Sequence, residues 1–300
     1  MPKVYIFFIL LIVILLANYI DLLFYLFDTI TPLPYLPYRY EVLNIRSYGR
    51  AGNIIYGYTY MRLVAIQLGK PTITEFDLPY PFNGTKGIEE EPPFHADIGL
   101  EVPNIILFPD YLKFSLLKNH RRLIQEAIFP EASHTVSKKY DLVIHVRLDD
   151  CFNSHKLYTI LVPDFYKRVF ANLSNKRIAT VAIVGRPTEP IHFFSLRKLE
   201  TMTRRAFETD DVSVFTDSDI SNDWMRIMQA PILVASVSTF WVVPSFVSPV
   251  VQEVHLPLFG QNIAMDFSDN PSENYTITMY DNIPMVKDRE VAYRLWEQAE

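Results

Sequence analysis

The chain has 300 residues and a net charge of −6 at pH 7. No long block of Lys or Arg occurs, so a nucleic-acid-binding protein is disfavoured. The single cysteine, Cys151, excludes an intramolecular disulfide and a cysteine-based zinc site. Aromatic residues are frequent, with 18 Tyr and 21 Phe, and they serve either core packing or a sugar-binding cleft.

The chain begins with an apolar segment. Residues 4–20 carry no charge, and after Asp21 the apolar character resumes as far as Phe27. Seventeen residues is about the lower limit for a bilayer span. We therefore predict a signal anchor over residues 1–27, with a cleaved signal peptide as the alternative. The prolines of residues 28–40 predict a stiff stem, and the rest of the chain is then luminal or external.

The next part of the chain predicts a mixed α/β unit. Residues 41–49 form an expected strand, and residues 53–69 form an expected helix that ends at Gly69. Residues 71–110 are rich in Pro, Gly and acidic residues and predict loops. Residues 111–129 have helical periodicity. We take residues 41–137 as an N-terminal, acceptor-side domain.

Strands and helices alternate from residue 138 to residue 257. The expected strands are 141–146, 177–185, 211–219, a segment starting at 231, and 250–257. The expected helices are 162–173, 193–207 and 221–230, the last capped by Ser221 or Asn222. This alternation predicts a parallel α/β sheet in a C-terminal domain, 138–300, with its binding site at the carboxyl ends of the strands.

A glycine pair stands between the first expected strand and helix. Gly49 and Gly52 are followed by Asn53 at the helix start. Glycine permits positive φ and lets a ligand approach the backbone, and a helix N-terminus suits phosphate. The spacing is G-x-x-G rather than a full dinucleotide fingerprint. A tight structural turn and a ligand-binding turn both explain it.

Charged residues follow the strand 141–146. On a strand, His145 and Arg147 share one face, whereas Val146 and Leu148 take the other. Asp149 and Asp150 come next. The candidate group therefore consists of His145, Arg147, Asp149 and Asp150. Arg147 could clamp a pyrophosphate. Alternatively, an Arg–Asp pair ties down the strand end and His145 is a hydrogen-bonded core residue.

A hydroxyl-rich turn follows the strand that starts at 231. Ser236, Ser238 and Thr239 precede the aromatic residues Phe240 and Trp241. Hydroxyls and free backbone N–H groups in such a turn can hold phosphate oxygens. A turn that caps the next helix is the alternative interpretation.

Two acidic residues follow the strand at 211–219. Asp217 and Asp219 have the D-x-D spacing with which sugar transferases bind a divalent metal on a nucleotide diphosphate. Short matches of this kind are frequent by chance. A polar loop that caps the next helix explains them equally well.

In chain order these stretches resemble the fucosyltransferases of the α-1,2 type (glycosyltransferase family 11) and their α-1,6 and protein-O relatives. The G-x-x-G-N segment matches residues 49–53, and the H-x-R-R-x-D signature matches 145–150, with Leu148 at the second Arg. The acidic run matches 216–219. The S-N-S-(S/T)-F-(S)-W segment matches 236–241, with Val237 in place of Asn.

The resemblance implies a GT-B fold, in which two Rossmann-like α/β domains face each other across a cleft. It implies inverting transfer of a sugar from a nucleotide-sugar donor, GDP-fucose by default, to a glycan or glycoprotein acceptor, with no metal and no cofactor. It also implies a single-pass type II membrane protein of the Golgi. Leu148 leaves the donor sugar open, and UDP-xylose is an alternative.

The resemblance also implies roles for individual residues. Arg147 would stabilise the charge of the leaving diphosphate, and His145 would contact the nucleotide or orient Arg147. The remaining donor-binding residues would be Gly49, Gly52, Asn53, Asp217, Ser236, Ser238, Thr239 and Phe240. Asp149, Asp150 and His155 are the candidate bases.

Two rival hypotheses stay open at the level of sequence. One is a metal-dependent glycosyltransferase that uses Asp217 and Asp219. The other is a non-catalytic, membrane-anchored binding protein on the same fold, for which Leu148 is the main argument.

Overall fold

The computed structural model describes residues 138–149, 151–152, 159–216, 219–258 and 276–299. It also describes the backbone of three short N-terminal strands and the positions Ile55, Tyr58 and Thr59. The expected anchor and stem, residues 1–40, lie outside this part of the chain. None of the helices that the structure describes is both long and apolar enough to cross a bilayer.

The N-terminal strands form a small mixed sheet. They are β1 (Leu43–Ile45), β2 (Thr72–Thr74) and β3 (Gly87–Glu89). β1 pairs with β2 in parallel, and β2 pairs with β3 antiparallel. The prediction of loops over 71–110 is therefore wrong at β2 and β3. These strands form through pairing between distant segments, which a local pattern does not reveal.

The expected helix over 53–69 is supported where it is described. Ile55, Tyr58 and Thr59 are helical and buried. The Thr59 hydroxyl donates to the carbonyl oxygen of Ile55, four residues earlier, at 2.7 Å. This is the usual way in which a threonine satisfies its hydroxyl inside a helix.

The described C-terminal strands form a six-stranded parallel sheet in the order β6-β5-β4-β7-β8-β9. They are β4 (Leu142–Val146), β5 (Val181–Gly185), β6 (Val212–Phe215), β7 (Ile232–Val234), β8 (Glu253–Pro257) and β9 (Thr276–Tyr280). The parallel α/β prediction is confirmed. The strand order reverses between β4 and β7, as in doubly wound sheets that bind ligands at that switch point.

Helices connect these strands. They are α1 (Pro163–Asn172), α2 (Pro190–Phe207), α3 (Ile220–Gln229), α4 (Val242–Val247) and α5 (Arg289–Glu297). Two details correct the sequence prediction. α2 begins at Pro190 because Glu189 and His192 form a reciprocal cap. Asp219, and neither Ser221 nor Asn222, is the N-cap of α3.

The second expected strand, 177–185, is shorter than predicted. β5 begins only at Val181, because Asp141 holds the preceding loop. Its Oδ2 accepts the backbone N–H groups of Ala179 at 2.8 Å and Thr180 at 2.9 Å. These bonds satisfy the backbone of the loop before the ladder starts.

One face of the sheet packs against α1, α2 and α5. Its apolar cluster takes Leu142, Ile144, Val146 and Leu148 from the β4 segment and adds, among others, Phe165, Tyr166, Leu196, Leu199, Ala292 and Trp296. Because side chains alternate along a strand, His145 points to the other face. There it contacts Phe240, which packs on Trp224 of α3. Both faces of the sheet near β4 are thus covered.

Candidate functional site

The candidate site lies where the carboxyl ends of β4 and β7 leave the sheet together. The last registered pair of these strands is Ile144 with Val234. The segments 145–149 and 235–241 therefore emerge side by side, on the edge where the strand order reverses. A crevice at such a switch point is the common ligand site of open α/β sheets.

His145 is a buried polar residue near the carboxyl end of β4. Its Nδ1 lies 2.8 Å from the hydroxyl oxygen of Ser236, and its ring stacks on Phe240 with centroids 5.2 Å apart. Burial, and to a smaller extent the nearby charge of Arg147, lowers the pKa of His145 to about 3. The ring is therefore neutral at pH 7, in agreement with the interpretation as a hydrogen-bonded core residue.

Arg147 emerges beside the turn that follows β7. It is half-buried, and its Nη1 donates to the hydroxyl oxygen of Ser238 at 3.4 Å. Val146 and Leu148 point to the opposite, apolar face, and Leu148 is only 1% exposed. The predicted division of faces is confirmed. The structure brings Arg147 and Ser238 together although 91 residues separate them.

Two tryptophan side chains hold the turn that follows β7. The indole N–H of Trp241 donates to the carbonyl oxygen of Ser236 at 2.9 Å. The indole N–H of Trp224 donates to the carbonyl oxygen of Phe240, also at 2.9 Å. Both rings are buried, and a buried indole requires such a partner. Neither tryptophan had a predicted role in the site, although a Trp beside a polar turn is a usable signal in the sequence.

The hydroxyl groups of this turn differ in their use. The Ser238 hydroxyl accepts the backbone N–H of Phe240 at 3.1 Å and also contacts Arg147. The carbonyl oxygen of Thr239 accepts the N–H of Val242 at 3.2 Å, which starts α4. The turn thus leads into a helix, as the alternative interpretation held, and it also places Ser238 against Arg147.

Of the other predicted site residues, some belong to the part of the chain that the structure describes and some do not. Asp149 is half-buried in the turn after β4. Asp219 caps α3 with a carboxylate oxygen 3.4 Å from the N–H of Ser221, as the capping interpretation predicts. The remaining candidates lie outside the described residues: Gly49, Gly52, Asn53, Asp150, His155 and Asp217. Within the described part, no group of three His, Cys, Asp or Glu side chains could hold a metal.

A second polar cluster, which was not predicted from the sequence, holds the turn after β4. Nδ1 of His192 accepts the N–H of Glu189 at 3.2 Å, and its Nε2 lies 3.4 Å from the Cys151 sulfur. Its ring stacks on Phe152, and burial lowers its pKa. Arg289 lies over Phe152 and donates to both carboxylate oxygens of Glu189, one at 2.6 Å. Helices α2 and α5 therefore fix the turn that carries Asp149.

Comparison with known proteins gives little. No family model matches the sequence, and no curated protein matches it. Among solved structures, the chain is similar to "E. coli heptosyltransferase WaaC with ADP" with a TM-score of 0.36 and 9% identity. The match covers 87% of this chain and 73% of that one. A likeness this distant supports no conclusion about the fold or the activity of this chain.

Proposed function

We propose that the chain is a glycosyltransferase that binds the diphosphate of a nucleotide-sugar donor at the joint edge of β4 and β7. The observation that carries the proposal is the meeting of Arg147 with Ser238, at 3.4 Å, where the strand order reverses. A guanidinium and a hydroxyl converge there from two neighbouring strands. Both are suitable donors of hydrogen bonds to phosphate oxygens.

Arg147 would act on the leaving group. Cleavage at the anomeric carbon develops negative charge on the departing diphosphate, and a positioned guanidinium stabilises that charge more in the transition state than before it. A single donor of this kind contributes about 10²- to 10³-fold in rate. Ser238 keeps Arg147 in place and offers its own hydroxyl to the diphosphate.

His145 would serve as a fixed, neutral support for the donor site. With a pKa of about 3, its ring is a poor acceptor for the proton of an acceptor hydroxyl at neutral pH. Its bond to Ser236 and its stack on Phe240 instead hold β4 against the turn that follows β7. We therefore assign the general base to an acidic residue, Asp149 or Asp150, with His155 as the alternative.

The finer proposal is transfer of fucose from GDP-fucose, with inversion, to a glycan or glycoprotein hydroxyl. It rests on the resemblance of residues 49–53, 145–150 and 236–241 to the fucosyltransferase motifs. The same resemblance supports a type II Golgi protein anchored by residues 1–27. A UDP-linked sugar such as xylose is the alternative donor, because Leu148 replaces an arginine of the motif.

A thermal-shift panel on the full-length chain tests the proposal. GDP, UDP, GDP-fucose and UDP-xylose are compared in the presence of Mg²⁺ and in the presence of EDTA. A ligand at 100 times its Kd stabilises the folded state by about 2.7 kcal/mol and so raises the melting temperature. We expect GDP and GDP-fucose to do so with or without EDTA, and Arg147→Ala to abolish the shift. Arg205→Ala, an exposed arginine in the last turn of α2, is the matched control.

The other outcomes assign the alternatives. If no nucleotide shifts the melting temperature of the wild type, the glycosyltransferase proposal fails. A shift that EDTA removes identifies the metal-dependent mechanism, and a shift with UDP alone identifies a different donor. Binding of GDP-fucose without any release of free fucose, even at high protein concentration, identifies a binding protein.

A further inference from the structure

A second arginine leaves the sheet next to Arg147. The last registered pair of β4 and β5 is Val146 with Gly185. The residues that follow this pair are Arg147 on one strand and Arg186 on the other. Because the two strands are parallel, both arginines emerge from the same edge of the sheet.

The side-chain direction of Arg186 follows from its neighbour. A Cβ atom placed on Gly185 would lie 2.8 Å from the carbonyl oxygen of Val146 and 3.5 Å from Cδ1 of Leu148. Position 185 therefore faces the same apolar side as Leu148. Side chains alternate along a strand, so Arg186 faces the other side, together with Arg147.

Arg186 is available to a ligand. It is exposed, and within the described residues it makes no hydrogen bond or ion pair. Glu189, the next carboxylate along the chain, already accepts two hydrogen bonds from Nε and Nη2 of Arg289. Pro187 disfavours helical backbone at Arg186, so the backbone of Arg186 loses little conformational freedom when the residue binds a ligand.

A diphosphate carries two or more negative charges, and a single guanidinium compensates only part of them when no metal is bound. Leu148 is buried and supplies none. We propose, on the basis of the function proposed above, that Arg186 is the second guanidinium of the donor site. Arg147 and Arg186 then bind the diphosphate from neighbouring strand ends, and neither arginine contributes to binding of the nucleoside.

Isothermal titration calorimetry on the full-length chain tests this, with GDP and guanosine as the two probes. Arg186→Ala should raise the Kd for GDP about 10- to 100-fold, the range for a lost charge-assisted hydrogen bond. Its Kd for guanosine should stay unchanged. Arg186→Lys should recover part of the loss, since lysine keeps the charge but not the planar fork. Arg205→Ala is the matched exposed control and should bind GDP like the wild type.

The failures are distinguishable. If Arg186→Ala binds GDP as tightly as the wild type while Arg147→Ala does not, the inference about Arg186 is overturned and the proposed function stands. An equal loss for GDP and guanosine also overturns it, because the effect is then not on the diphosphate. If the wild type binds no nucleoside diphosphate, the proposed function itself is overturned.

Discussion

Acidification should destabilise the protein partly through His145. Its side chain is buried, with 8% of the residue exposed, and its pKa is about 3 instead of 6.5, first because of burial and second because of Arg147. Between these values the unfolded chain binds a proton that the folded chain does not. The contribution of His145 to stability is therefore complete above pH 6.5 and is lost progressively as the pH falls toward 3.

The magnitude follows from the two pKa values. Each pH unit below 6.5 costs about 1.4 kcal/mol, so the step from pH 7 to pH 5 should cost about 2 kcal/mol through His145 alone. His145→Asn keeps a polar atom near the position of Nδ1, facing Ser236, but binds no proton. The variant should therefore lose about 2 kcal/mol less than the wild type over this step, whatever its stability at pH 7.

Urea unfolding of both proteins at pH 7 and pH 5 measures this difference. Other groups do not confound it. The lowered pKa of His192 contributes equally in both proteins. Hydrogen bonds from His255 and from Lys176 lower the pKa of Glu253 to about 2, so its contribution is lost only below pH 4.5. Identical pH dependence in the two proteins would refute the burial of a neutral His145 between Ser236 and Phe240.

Three further changes test the supports of the site and are measured by urea unfolding at pH 7. Trp241→Phe removes the indole N–H that binds the carbonyl oxygen of Ser236 and should lower the free energy of unfolding by about 1–3 kcal/mol. An unchanged free energy of unfolding would contradict the role of this bond in holding the turn. Gly185→Ala places a Cβ 2.8 Å from the carbonyl oxygen of Val146 and should lower the free energy of unfolding by about 1–3 kcal/mol. An unchanged free energy of unfolding would contradict this close approach of the two strands. Asp219→Ala should cost about 1 kcal/mol as a lost cap, and Asp219→Asn should restore most of it.

The centre of the C-terminal sheet could be predicted from the sequence because its strands are short apolar runs. Residues 142–146 and 232–234 are all buried and, apart from His145, apolar, and polar residues follow each run. Parallel strands bring such ends to one edge, so Arg147 and Ser238 could be assigned to one site. Their contact and the state of His145 depend on side-chain packing, which spacing does not give.

The elements that were not predicted lack a buried apolar run of this kind. β9 (Thr276–Tyr280) is the last strand of the described sheet, and most of its side chains are at least partly exposed. α5 (Arg289–Glu297) buries only Ala292 and Trp296. The N-cap of α3 was ambiguous for another reason: Asp217, Asp219, Ser221 and Asn222 are all capping residue types, and only the backbone decides among them.

The cluster around His192 forms only in the folded chain, from residues that are far apart in the sequence. Cys151 and His192 are 41 residues apart and meet because β4 and β5 are neighbours. Arg289 and Glu189 are 100 residues apart and meet because α5 packs on α2. No local pattern in the sequence marks either pair.

The chain contains three tryptophans, and they provide the most direct test of where a diphosphate binds. Trp241 and Trp224 hold the turn beside Arg147, whereas Trp296 packs in the apolar cluster on the other face of the sheet. An NMR titration of the full-length chain with GDP, with the indole nitrogens labelled, reports on all three at once. We predict that the signals of Trp241 and Trp224 move and that of Trp296 does not. Unchanged signals at saturating GDP, or a shift at Trp296 alone, would contradict a donor site at the joint edge of β4 and β7.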